Sequence, residues 1–335
     1  MVEPLLILTF LVALVFDFTN GFHDTPMAVA TSISTRALSP RHALLIAAVL
    51  NLAGAIITVA FFQAKVSNTI AKLLVIKPGL VVIIAGLVGA IAWNLFTWSL
   101  GLPSSSSHAF IGGLLGAGVA AGGGFSAIHW SQLGSVFLAL ITSPVVGFFG
   151  AGTFVVILLW AVQRGRPGRL NRNFRRLQVP AAAFVAFSHG SNDAQKTMAA
   201  MTLALVATGH LAKFKVPLWV VVLSAAAIAA GTYVGGWRIM RTLGWGMFKL
   251  EPATGMSAQV MGATVIQVAT QLGLPVSTTH TITGSVMGAG AGRQFSALRL
   301  NVVADIVGSW ILTIPATATI AWVMFAILHT AGLNG

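Results

Sequence analysis

Gly101-Leu102-Pro103-Ser104-Ser105-Ser106-Ser107-His108 returns 172 positions later as Gly273-Leu274-Pro275-Val276-Ser277-Thr278-Thr279-His280. The likeness continues through Gly112/Gly284, Gly116/Gly288, Ala117/Ala289 and Gly118/Gly290. Nine of 18 positions are identical in a chain with only 12 Pro and 8 His, so the sequence is a duplicated unit. A second pair repeats at nearly the same distance: Gly21-Phe22-His23-Asp24 and Gly190-Ser191-Asn192-Asp193. Both pairs set polar residues into strongly apolar stretches. In a membrane protein that combination points to a substrate site shared by two halves.

The composition requires a membrane. Hydrophobic residues make up 56% of the chain and charged residues 7%, with a mean hydropathy of +0.90. Apolar stretches such as 42–63, 79–100, 131–162, 216–240 and 302–328 are near or above the roughly 20 residues a helix needs to span the hydrocarbon. Strand-type alternation is absent, which argues against an outer-membrane barrel. The N-terminal segment has no basic start and carries Glu3, so it reads as part of the core, not as a cleaved leader. The net charge of +13 does not indicate nucleic-acid binding. Arg164, Arg166, Arg169, Arg172, Arg175 and Arg176 crowd into one stretch without an acidic residue, which is the positive-inside signal and predicts a cytoplasmic loop. With no cysteine there are no disulfides or thiolate metal sites.

The Arg-rich loop, 163–178, divides the chain into repeat 1 (1–162) and repeat 2 (179–335), each with its parts in the same order. The expected fold is an all-α polytopic membrane protein. It is read as two inverted repeats with broken helices and re-entrant helical hairpins, in roughly 10–12 membrane segments. The 36 glycines are read as close helix packing.

Pro103 and Pro275 each stop an apolar helix, and a new helix is expected to start near His108 or His280. Ser104, Ser105, Ser106 and Ser107, with Ser277, Thr278 and Thr279, then sit beside unpaired backbone amides that attract anions. One hydroxyl would suffice for capping, so the excess predicts an anion site. Asp24 and Asp193 are two of only six acidic residues and occupy equivalent positions. An intramembrane carboxylate costs roughly 2.5–3.5 kcal/mol even on the lenient insertion scale, so it calls for a function and a partner. Two carboxylates beside an anion site also call for a cation, and cation-coupled anion transport follows. A structural aspartate at a helix break is the alternative. His23 is either a proton carrier or a neutral substitute for Asn192, its counterpart in repeat 2. Lys196 pairs with Asp193, contacts the anion, or snorkels. Asp17, seven residues before Asp24, and Asp305 are secondary proton-path candidates. His108 and His280 are expected to fix the hydroxyl loops; no metal ligand set, catalytic group or cofactor is expected.

These residues resemble the inorganic phosphate transporter (PiT) family, marked by a duplicated Gly-x-Asn-Asp signature and Pro-x-Ser-Ser/Thr-Ser/Thr-His hairpins. Asn20-Gly21-Phe22-His23-Asp24-Thr25 and Ser188-His189-Gly190-Ser191-Asn192-Asp193-Ala194-Gln195-Lys196 resemble its bacterial low-affinity branch. The resemblance implies an inverted-repeat transporter in the inner (plasma) membrane that moves phosphate with a coupling cation. In that branch the cation is a proton, and neutral metal-phosphate complexes can be the cargo. Sodium-coupled members hold Na+ with the signature aspartates and asparagines. Here Pro26 and Met27 replace the usual continuation of the first copy, which together with His23 shifts the expectation from Na+ to H+; the second copy also departs, with Lys196 in place of the later asparagine.

The sequence reading is therefore a symporter importing inorganic phosphate. The anion is held by the hydroxyl loops and Asn192, and Asp24, Asp193 and His23 carry the coupling charge. Sulfate uptake by the same family and an intramembrane lipid-phosphate phosphatase are the alternatives; duplicated polar groups argue against an enzyme. Phosphate, the coupling cation and the bilayer are the expected partners, and a homodimer is left open.

Overall fold

The computed structural model describes residues 2–247 and 250–333. Among these are twelve α-helices arranged as two series of six. The first series is α1 (Val2–Ser34), α2 (Pro40–Phe62), α3 (Lys65–Ala71), α4 (Leu80–Leu100), α5 (Ser106–Ala121) and α6 (Trp130–Ala161). The second is α7 (Pro167–Ala207), α8 (Leu218–Val234), α9 (Trp237–Arg241), α10 (Pro252–Gln271), α11 (Thr278–Gln294) and α12 (Leu300–Thr330). A short 3₁₀ turn, Phe125–Ala127 or Phe295–Ala297, precedes the last helix of each series.

Local chemistry sets many of the boundaries. Pro40, Pro167 and Pro252 stand in the first turn of α2, α7 and α10, where a missing N–H is harmless. Gly101 and Gly273 follow α4 and α10 with φ of 69° and 74°, a left-handed conformation that ends each helix before Pro103 or Pro275.

Five helices are individually long and apolar enough to cross a membrane: α1, α2, α4, α6 and α12. A sixth crossing is formed if α8 is counted with 237–246, from which it is bent by 59°. With 16 and 17 residues, α5 and α11 fall short of a full crossing. Ile141 and Phe149 on α6, and Ile311 and Leu312 on α12, lie exposed on the outer surface, as lipid-facing side chains do.

Two expectations are corrected. No helix breaks at the aspartate motifs. α1 runs unbroken through Asp24 and Pro26, and α7 through Asp193. Neighbouring helices and hydroxyls can re-satisfy backbone groups freed by an intramembrane proline. The Arg-rich stretch is not all loop either. From Pro167 onward it is the exposed beginning of α7, because arginine favours helix and, beyond Gly168 in the first turn, no Gly or Pro interrupts before Pro180.

The two series interlock. α5 and α4 pack on α12, while α11 and α10 pack on α6; likewise α1 packs on α8 and α7 on α2. Exchanging the two series maps each of these pairs onto another. The repeated glycines permit the approach: a side chain at Gly116 would strike the backbone of α12 at Ala318, and one at Gly288 that of α6 at Phe148.

Candidate functional site

The site lies where the middles of α1 and α7 meet the N-termini of α5 and α11. Gly21 brings α1 against the α8 backbone at Ile228, and Gly190 brings α7 against α2 at Asn51; neither place has room for a Cβ. These contacts hold Asp24 and Asp193, one helical turn further on, inside the molecule.

The hydroxyl loops divide into capping and inward-facing members. Ser105 Oγ accepts from His108 N at 3.1 Å and Ser277 Oγ from His280 N at 3.1 Å, so these two are the N-caps of α5 and α11. Ser104 turns back to Thr97 on α4, 2.7 Å away. The others face the aspartates. Ser106 Oγ lies 2.5 Å from Asp24 Oδ2, Thr279 donates to Asp24 Oδ1 at 2.9 Å, and Thr278 donates to Asp193 Oδ2 at 3.3 Å. Ser107 donates to the Val276 carbonyl across the two loops and accepts from Lys196 Nζ at 3.1 Å. Ser106 and Thr278 therefore serve the aspartate of their own half, while Thr279 and Ser107 reach across.

Every one of these side chains is buried. His23 Nδ1 donates to Asp24 Oδ1 at 2.8 Å and its Nε2 lies 3.1 Å from Thr97 Oγ1. Lys196 Nζ pairs with Asp193 Oδ2 at 2.7 Å. His189 stands between the two aspartates, with Nε2 3.4 Å from Asp193 and 3.9 Å from Asp24, outside hydrogen-bond geometry but close enough for charge to act. Its Nδ1 lies 2.9 Å from Asn51 Oδ1. Asp24, His189 and Asp193 can each present a ligand atom within 4.8 Å of the others, an arrangement that can hold a cation.

The structure thus gathers Asp24, Asp193, His23, Lys196, Ser106, Ser107, Thr278 and Thr279 at one point. Asn192 lies at its edge, donating to Thr270 Oγ1 at 2.8 Å and tying α7 to α10. The rings of His108 and His280 lie 4.4 Å apart, tilted by 32°, and His280 stacks on Trp310 of α12 at 3.9 Å. Asp17 is buried outside this cluster, and Asp305 is exposed on α12, where it makes no hydrogen bond among the described residues. Sequence reasoning passed over His189 and Asn20. The signal was there: the spacing of 169 that pairs Asp24 with Asp193 also pairs Asn20 with His189 and His23 with Asn192. Each half carries one histidine and one asparagine at these places, in exchanged order.

The arrangement offers hydroxyls, an ammonium and two helix N-termini to an anion, and two carboxylates to a cation. The profile of the "Phosphate transporter family" matches residues 20–173 and 162–321. A protein of Rhizobium meliloti named "Probable low-affinity inorganic phosphate transporter" is 46% identical over 95% of this chain and 95% of its own. One of the same name in Bacillus subtilis is 42% identical over 98% of this chain and 99% of its own. A solved structure described as "The sodium-dependent phosphate transporter" has a TM-score of 0.87 and 24% identity, covering 98% of this chain and 100% of that one. It shows the same fold.

Proposed function

The chain belongs to the phosphate transporter family, and from that premise we propose that it is a proton-coupled symporter importing inorganic phosphate, alone or as a neutral metal-phosphate complex, across the inner (plasma) membrane. The carrying observation is the meeting of two sets of groups. Ser106, Thr278 and Thr279 donate to the carboxylates of Asp24 and Asp193, and Lys196 bridges Asp193 to Ser107. A phosphate oxygen that took these donors would leave the carboxylates without them. A cation must then arrive to compensate, so anion and cation bind together. Asn192 and the capped loops of Ser104, Ser105 and Ser277 hold the geometry.

Lys196 supports protons over sodium: its ammonium already neutralises Asp193, where a bound Na+ would be needed in its absence. We read residues 1–162 and 179–335 as the two inverted repeats, with the 163–178 segment cytoplasmic. The relatives are named as transporters, and nothing supports the phosphatase alternative.

Purified protein in proteoliposomes, given labelled phosphate, tests this reading. Accumulation is expected under an inward proton gradient without sodium, with little competition from excess sulfate. Accumulation driven only by sodium would refute the proton coupling. Stronger inhibition by sulfate than by unlabelled phosphate would make sulfate the substrate.

A further inference from the structure

Of the six acidic residues, four have a basic partner: Glu3 with His210, Glu251 with Arg293, Asp24 with His23 and Asp193 with Lys196. Asp305 is exposed. Asp17 alone is fully buried without a basic group within 4 Å, and neither carboxylate oxygen has a hydrogen-bond partner among the described residues. The charged groups facing it are Lys196 and Asp193 on α7, which are committed to each other. Of the other helices packed on α1, α4 and α10 carry no ionisable residue, α8 only the exposed Tyr233, α2 only the exposed Arg41 and His42, α9 only the exposed Arg238 and Arg241, and α11 the exposed Arg293 and the buried His280, which lies against Trp310.

Beside Asp17 stand Asn20 and Thr197, whose Nδ2 and Oγ1 are near enough to act on its carboxylate as donors but reach full hydrogen-bond geometry with no partner. Asn20 is the link inward. Ser106 Oγ lies 2.6 Å from Asn20 Oδ1 and 2.5 Å from Asp24 Oδ2, yet a hydroxyl has one proton for these two acceptors. Turning the Asn20 amide over resolves the conflict. Nδ2 then donates to Ser106, the Ser106 proton serves Asp24, and Oδ1 faces Asp17. That oxygen needs a donor, and a protonated Asp17 supplies it.

We propose that Asp17 is the loading site for the coupled proton and that its protonation is passed to the anion site through the Asn20 amide and the Ser106 hydroxyl. With Asp17 protonated, the chain Asp17 to Asn20 to Ser106 to Asp24 donates inward throughout. When the proton leaves, Asn20 Nδ2 turns to the bare carboxylate, Oδ1 recaptures the Ser106 proton, and the anion site loses a donor. Proton release thus weakens the hold on phosphate, which is the linkage a symporter needs. This deepens the proton-symport reading and rests on it; Asp17 touches no cargo.

The test uses Asp17→Asn, whose amide N–H stands in for the acid proton, and Asp17→Glu, which keeps a titratable group. Phosphate accumulation under an inward proton gradient and phosphate–phosphate exchange at equal pH are measured in proteoliposomes. The wild type should accumulate up to about tenfold per pH unit for each coupled proton. Asp17→Asn should lose accumulation but keep exchange, at a rate independent of pH; Asp17→Glu should keep both with a displaced pH profile. Accumulation by Asp17→Asn at the wild-type level would overturn the assignment. So would loss of exchange in Asp17→Asn together with loss of accumulation in Asp17→Glu, which would make Asp17 a packing residue. A wild type that does not respond to the proton gradient would instead refute the function proposed above, before Asp17 is tested.

Discussion

Lys196 is fully buried and pairs with Asp193 at 2.7 Å, the shortest ion pair among the described residues, and it also donates to Ser107. Removing one member of a buried pair strands the other, a penalty of about 3–5 kcal/mol. Lys196→Met should therefore lower thermal stability in detergent substantially, and adding Asp193→Asn should restore part of the loss. A single variant as stable as the wild type would show that Asp193 is not held ionised by Lys196. The residue scale is also where the sequence was most legible and most incomplete. The repeated aspartates and hydroxyls announced themselves by duplication. Which hydroxyls cap and which face the aspartates depends on one helical residue more or less, and spacing alone cannot assign it. His189 was hidden for another reason: its partner in the first copy is Asn20, so a search for repeated identity passed over an exchange of residue types.

At the scale of elements, the hairpins α4–α5 and α10–α11 followed from the Gly-Leu-Pro steps, because a left-handed glycine followed by proline leaves a helix no way to continue. α1 and α7 run unbroken through their aspartates. Polar residues inside an apolar helix suggest unwinding, but here α5 and α11 supply hydroxyl donors to them and the helices stay intact. The glycines on α5 and α11 set how near those donors come. Gly288→Ala should push α11 from the Phe148 carbonyl, with about 1–3 kcal/mol of destabilisation and weaker phosphate exchange. Gly308→Ala, on α12 with open space around it, serves as the control and should be neutral or slightly stabilising. Equal effects at the two positions in a thermal unfolding comparison would dismiss close approach as the reason for the α11 glycine.

For the whole molecule, the duplication was plain in the sequence, but the interlocking was not: no periodicity says that α5 will pack on α12 and not on α6. Each half leaves its hairpin uncovered until the other half arrives. Chains covering 1–166 and 167–335 should therefore copurify when coexpressed, and neither alone should be monodisperse in detergent. A lone half that resists protease as well as the intact chain would contradict this. The packing of α5 against α12 also bears on synthesis. Roughly 180 residues separate the two elements, and a ribosome adding ~5–20 residues per second needs on the order of ten to forty seconds to make them. Throughout that interval the first hairpin, with its hydroxyl-bearing tip, lacks the helix that covers it. The helix that covers α5 is thus made long after the hydroxyls it holds in place.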